Sequence, residues 1–262
     1  MFEAIRKWKQ QRVLSTSAIP ETLWREAVAA LPFLAIYTES ELARLRELVV
    51  LFLSAKSVVA GGAFEVTPLM RVVIAIQACA LILNLDLRYY DGWENVVVYA
   101  DEFVARREFE DEVGVVHRHA EALAGEAMPR GPVVLSGRDV EASADWSDSG
   151  MNLVIHEFAH KIDMSSGEAN GCPPLPAEIA PRTWHEAMNA AFEHFCSCVD
   201  RGQQTAIDPY AAESPAEFFA VLSEVFFAEP QLLHLEYPRV YELFTLVYRQ
   251  DPLSRIERLL EE

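Results

Sequence analysis

Residues 152–163 read Asn-Leu-Val-Ile-His-Glu-Phe-Ala-His-Lys-Ile-Asp, so His156 and His160 stand four apart in a run that is otherwise largely apolar. Side chains at i and i+4 project from one face of a helix, so both imidazoles can converge on one tetrahedral Zn²⁺ while Glu157 stands beside the water it binds. Zinc lowers the pKa of that water toward neutrality, and the carboxylate takes the proton as the oxygen attacks a polarised carbonyl. The bland alternative is a pair of surface histidines with an incidental glutamate. The apolar neighbours oppose it, because two imidazoles and a carboxylate are costly to bury unless they coordinate something. One residue is out of pattern: Lys161 puts a charge directly after the second histidine.

A catalytic zinc needs a third protein ligand and keeps one position open. The chain has seven histidines, of which His185, His194 and His234 follow the motif with no adjoining pattern and read as helix-surface residues. Asp163 is offset from His160 in a way that suits orienting an imidazole better than binding metal. More promising is the segment 208–224, which places Glu213, Glu217 and Glu224 in or just before an apolar helix. Spacing leaves all three open as the third ligand. Glu217 also has a structural reading, as the far half of a capping box with Ser214.

The elements that must position these groups follow from periodicity. Thr38 with Glu41 caps a helix whose apolar residues recur at three and four, and Thr67-Pro68 opens a second, very apolar helix running toward Leu85. Short β-branched runs at 96–99, 113–117 and 132–136 read as strands of a small sheet, and the polar stretch 137–150 reads as a loop. Helical spacing returns at Asn152. Thr183 and Glu186 predict another capping box, and Ser214-Pro215 opens a helix that Glu229-Pro230 closes. The order of helices, short sheet and helices predicts an α+β fold, with an N-terminal helical region over 1–90 and the motif-bearing region over 91–262 forming one continuous unit.

Composition bounds the rest. Forty acidic against 22 basic residues give a formal net charge of −18, which disfavours direct binding to nucleic acid or to anionic lipid. Arg6, Lys7, Lys9 and Arg12 around Trp8 read as a solvated helix face. Cys79, Cys172, Cys196 and Cys198 are too irregularly spaced for a disulfide scaffold or paired zinc knuckles, and a reducing cytoplasm suits them. The first residues lack the pattern of a secretory signal, and no apolar run reaches the roughly 20 residues of a membrane span.

The strings at 154–164, at 210–212 and at 215–224 resemble the Mlc titration factor A family of zinc peptidases, whose version of the motif also carries the lysine found here as Lys161. That resemblance implies a zincin-like fold with a small mixed sheet packed against the HExxH helix. It implies His156, His160 and Glu217 as ligands of one Zn²⁺ and Glu157 as the base. The family's metal site is similar to that of anthrax lethal factor, in which a tyrosine precedes the ligand glutamate by seven residues; Tyr210 matches that place and implies a phenol that donates to the developing oxyanion. The implied activity is a gluzincin-like, aminopeptidase-type cleavage of short peptides, with binding and sequestration of the glucose-regulon repressor Mlc. A non-catalytic, repressor-sequestering protein with a vestigial zinc site is the rival reading, which the intact Glu157 opposes.

Overall fold

The structure is a computed structural model that describes residues 2–110, 116–143 and 152–261. Three helices come first: α1 (Phe2–Thr16), α2 (Glu21–Ala29) and α3 (Glu39–Ala55). The expected capping box opens α3, with Thr38 Oγ1 accepting from the Glu41 amide at 3.2 Å and the Glu41 carboxylate accepting from the Thr38 amide at 2.9 Å. These bonds satisfy amide donors that the first helical turn leaves without partners. In α4 (Pro68–Leu81), capped by Thr67 with proline at its start, every residue from Val72 to Leu81 is buried. It is the central helix of the core that its apolar composition predicts.

The sheet joins β1 (Ser57–Ala60), β2 (Asn95–Tyr99), β6 (Val133–Ser136) and β5 (Gly125–Ala127) in that spatial order. The first two pairings are parallel and the last is antiparallel, so the sheet is small and mixed. A separate antiparallel pair, β3 (Phe103–Glu110) and β4 (Val116–Leu123), lies between β2 and β5 in sequence. Of the strand expected over 113–117, residues 113–115 lie outside the described residues, and Val116 and His117 fall in β4. Strand β1 is an addition to a region whose pattern is helical; at four residues, only one of them buried, it is too short to show an alternation.

A second difference concerns the stretch expected to be a loop from Gly137. Residues Gly137–Ala142 form a helix, α5, capped by Ser136 Oγ accepting from the Asp139 amide. The cap is the last residue of β6, so strand passes into helix with no turn-forming residues between them to mark the start. Residues 144–151 lie outside the described residues.

The motif-bearing helix, α6 (Leu153–Asp163), is buried along its whole length, between α4, strands β5 and β6, and the later helices. Asn152 caps it, its Oδ1 accepting from the Ile155 amide at 2.8 Å. There follow α7 (Pro181–Asp200), α8 (Pro215–Ala228), α9 (Pro230–Glu236), α10 (Pro238–Tyr248) and α11 (Pro252–Glu261), each beginning at a proline whose fixed φ suits the first helical turn. That proline overrides the capping box expected at Thr183: α7 starts three residues earlier, at Pro181, with no side-chain cap, and Glu186 pairs with Arg182 instead. The fold is α+β and helix-rich, as expected.

Candidate metal centre

Helices α6 and α8 pack together and set three donors on one point. Glu217 Oε2 lies 2.9 Å from His156 Nε2 and 3.2 Å from His160 Nε2, and the two Nε2 atoms are 3.1 Å apart. Donors about 2.0–2.2 Å from a tetrahedral metal stand about 3.3–3.5 Å from one another, so this spacing fits a small divalent cation with little adjustment. The chemistry of the set fits as well. Two imidazole nitrogens and a carboxylate oxygen turned toward one point, all within 3.2 Å of one another, are donor types that a single divalent cation can share. Two histidines and one carboxylate form a site of the composition that suits catalytic zinc and leaves a position open.

The surroundings orient the donors. His156 Nδ1 lies 2.7 Å from Glu224 Oε1, while the second oxygen of Glu224 accepts from the Asn152 amide. A carboxylate on Nδ1 keeps the hydrogen on that nitrogen and turns the Nε2 lone pair toward the shared point. Burial alone would lower the His156 pKa, but the hydrogen bonds that Glu217 and Glu224 accept from its ring raise it well above the usual imidazole value. Burial likewise opposes ionisation of Glu217, and its contacts with both imidazoles outweigh this and hold it well below the usual carboxylate range. The site therefore presents an ionised carboxylate to whatever cation it binds.

Glu157 is buried beside this group, with Oε2 making no hydrogen bond among the described residues. Burial raises its pKa, with His156 and His160 opposing. A carboxylate raised in this way and left with an unpaired oxygen is suited to take up a proton.

The sequence model of the glucose-regulated metallo-peptidase M90 family matches residues 5–249. The chain belongs to that family. Mlc titration factor A of Edwardsiella ictaluri is 41% identical over 253 residues, covering 95% of this chain and 94% of the relative. The proteins of the same name from Klebsiella pneumoniae strain 342 and Escherichia coli O8 are each 38% identical, covering 95% and 96% of this chain and 92% and 93% of theirs. A metallo-peptidase family implies a metal ion, and the His156–His160–Glu217 group is where this member of the M90 family could hold one.

Of the three candidate glutamates, the structure brings Glu217 into the group, sets Glu224 behind His156, and leaves Glu213 exposed and outside it. The capping box expected of Glu217 is half formed. Ser214 Oγ accepts from the Glu217 amide at 3.2 Å, while the Glu217 carboxylate turns to the histidines instead of back to Ser214. Tyr210 sits on the 3-10 turn Pro209–Ala212, whose Asp208 side chain accepts from the Tyr210 amide. Its ring centre lies 6.0 Å from that of His156 and it is 44% exposed, at the rim of the site. His185, His194 and His234 are exposed, as their lack of pattern suggests.

Asp163 does not orient an imidazole. Its carboxylate accepts from the amides of Asn170, Gly171 and Cys172 at 2.7–3.0 Å and so folds the following loop against the end of α6. His160 Nδ1 is buried without a hydrogen-bond partner among the described residues. The reason is geometric: three residues beyond His160, at the last turn of α6, Asp163 is nearer to the free amides of the succeeding loop than to the ring. Two contributors to the site carry no signal in the sequence. Gln77 accepts from Asn152 Nδ2 at 2.5 Å and so fixes the cap of α6, and Gly125 on β5 abuts Glu157.

Proposed function

We propose that this chain is a zinc-dependent peptidase in which His156, His160 and Glu217 hold one Zn²⁺ and Glu157 is the general base. The observation that carries this reading is the convergence of the three donor atoms next to a buried carboxylate with an unpaired oxygen. Zinc held there supplies a Lewis acid that polarises a carbonyl and makes water acidic near neutral pH. Glu157 accepts the proton released as water attacks the scissile carbonyl, and it returns that proton to the departing amine. Tyr210, beside His156 at the rim, donates its hydroxyl hydrogen to the oxyanion that develops on the carbonyl oxygen. Glu224 holds His156 in the orientation and tautomer that this requires.

The peptide itself has a natural place. Strand β5 ends the sheet, and among the described residues no strand pairs with its outer edge; its first residue, Gly125, packs against Glu157. An extended peptide can pair with such an edge through its main chain, and the cleavage we propose, of short peptides in an aminopeptidase manner, is the one the family resemblance implies. The two regions 1–90 and 91–262 work as one unit in this reading, since β1 from the first pairs with β2 from the second.

A second role rests on the relatives' name: we infer that this chain also binds and sequesters the repressor Mlc, as a cytoplasmic protein. Among the described residues no helix is long and apolar enough to cross a membrane. A non-catalytic sequestering protein would need no base, so the placement of Glu157 favours an enzyme that has both roles.

The test is metal content measured alongside hydrolysis of short peptides and aminoacyl anilides, before and after chelation. One zinc per chain, activity lost on chelation and regained on adding zinc, is expected. No zinc after reconstitution would end the assignment.

A further inference from the structure

Lys161 has no place in coordination, yet it is buried directly after His160. Its ammonium donates to the carbonyl oxygens of Met128 at 2.6 Å and Gly131 at 2.8 Å. Both belong to the turn that joins β5 to β6. The same turn is closed by the Gly131 amide on Met128 O at 3.0 Å and by the Met128 amide on Pro132 O at 3.1 Å, with Arg130 in the left-handed region at φ 54°. The ammonium also stands 4.9 Å from the ring centre of Trp93, so it is held on several sides. Burying a lone charge is costly, and the two carbonyls compensate it only while the turn stays where it is.

Strand β5 needs such an anchor. It has three residues and one neighbour, β6, in the register Gly125↔Leu135, Glu126↔Val134 and Ala127↔Val133. At its first residue the backbone lies against the base. A Cβ on Gly125 would strike Glu157 Oε1 and would stand 2.7 Å from Leu153 Cδ1 and 2.8 Å from Glu157 Cδ. Glu157 and Lys161 are four apart on α6, so one face of the helix meets one hairpin twice. The carboxylate touches the start of β5, and the ammonium grips the turn at its far end.

We propose that Lys161 and Gly125 position the Glu157 carboxylate, the lysine by fixing the β5–β6 hairpin on α6 and the glycine by letting the strand close onto the base. This rests on the reading of Glu157 as the base. Both are positioning residues; neither touches the metal donors, so their loss should disturb the base and spare the metal.

The experiment compares Lys161→Met, Lys161→Arg, Gly125→Ala and Glu157→Gln with the parent, all loaded with Co²⁺ for spectroscopy and with Zn²⁺ for kinetics. Acetohydroxamate serves as the probe, because it chelates the metal and hydrogen-bonds a neighbouring carboxylate, so its affinity reports on the base without a substrate. Lys161→Met and Gly125→Ala should retain the Co²⁺ absorption spectrum. Both should bind acetohydroxamate about tenfold more weakly, and kcat should fall about 10- to 100-fold. Lys161→Arg, whose guanidinium can still reach two carbonyls, should recover most of the loss. If Glu157→Gln loses affinity and turnover while Lys161→Met and Gly125→Ala match the parent, the positioning proposal fails and the base stands. If Glu157→Gln itself matches the parent, it is the reading of the base that fails. Loss of the Co²⁺ spectrum in both Lys161→Met and Gly125→Ala would make these residues general scaffold and overturn the proposal.

Discussion

His156 Nδ1 and Glu224 Oε1 lie 2.7 Å apart across the packed faces of α6 and α8, and the other Glu224 oxygen takes the amide of Asn152, the residue that caps α6. One buried carboxylate thus sets the direction of a donor ring and ties down the start of the helix that carries it. Glu224→Gln should weaken zinc binding by about 10- to 100-fold, since the amide can present a hydrogen where the ring must donate. Competition against a chromophoric chelator measures this. Equal affinity in variant and parent would show that the pair does not tune the metal.

Glu217→Gln separates coordination from folding. The hydrogen bond that starts α8 runs from the Glu217 amide to Ser214 Oγ and does not involve the carboxylate. Zinc affinity should therefore collapse, while the thermal midpoint of the chelated protein stays within a few degrees of the parent's. Should Glu213→Gln lose zinc and Glu217→Gln keep it, the donor set is misassigned, along with the role that Tyr210 takes from its place seven residues earlier.

What could be read from the sequence tracks how local the determinant is. The cap and spacing of α3, the burial of α4 and the pairing of His156 with His160 depend on residues within a turn or two of one another, and all are where the pattern puts them. The third donor is different. Glu213, Glu217 and Glu224 are equivalent by spacing until α8 is docked on α6, and docking is a property of the whole core. The same holds for Asp163, whose real partners are loop amides seven to nine residues on, and for Lys161, whose carbonyl partners precede it by 30 residues or more. Backbone carbonyls and amides leave no mark in a sequence, so side chains that serve them look idle or misplaced until the fold is known.

A prediction away from the site tests how the C-terminal helix is attached. Arg255 is buried, 4.3 Å from the Tyr37 ring centre, and donates twice to Glu41 Oε1 at 2.8 and 2.9 Å. Burial acts to raise the Glu41 pKa, but the Thr38 amide and the Arg255 guanidinium outweigh it and leave the pKa below its ordinary 4.5. A carboxylate with a lowered folded-state pKa contributes stability that is complete above the unfolded value and is lost as pH falls through the folded one. Glu41→Gln should cost about 1.5–3 kcal/mol at pH 7. The gap between variant and parent should narrow below pH 4.5. Denaturant melts at both pH values check it, and a gap that stays constant would mean that the carboxylate's charge contributes nothing.

Glu157→Gln should keep the metal and lose turnover, because it removes the proton acceptor without removing a donor to the metal. General-base catalysis contributes about 10²–10⁴-fold, and the loss should fall in kcat. If the proposed second role holds, binding to Mlc should survive the substitution. Its loss from a folded, zinc-loaded variant would place repressor capture at the active site.

The last prediction concerns Tyr210, which lies beside His156 but outside the metal donor set. At the rim and 44% exposed, its ring can move against the site without repacking the core. An oxyanion donor acts only when charge builds on the carbonyl oxygen, so removing its hydroxyl should lower kcat and leave ground-state binding alone. Tyr210→Phe keeps the ring and its contact with His156, and should lower kcat by about 10²-fold with KM and zinc affinity close to the parent's. Tyr210→Ala should add a rise in KM if the ring also lines the substrate. A Tyr210→Phe variant with parental kcat would strip the phenol of its role in catalysis. The developing charge would then have to be met by the metal and by backbone amides alone, with Tyr210 reduced to a rim residue that shields His156.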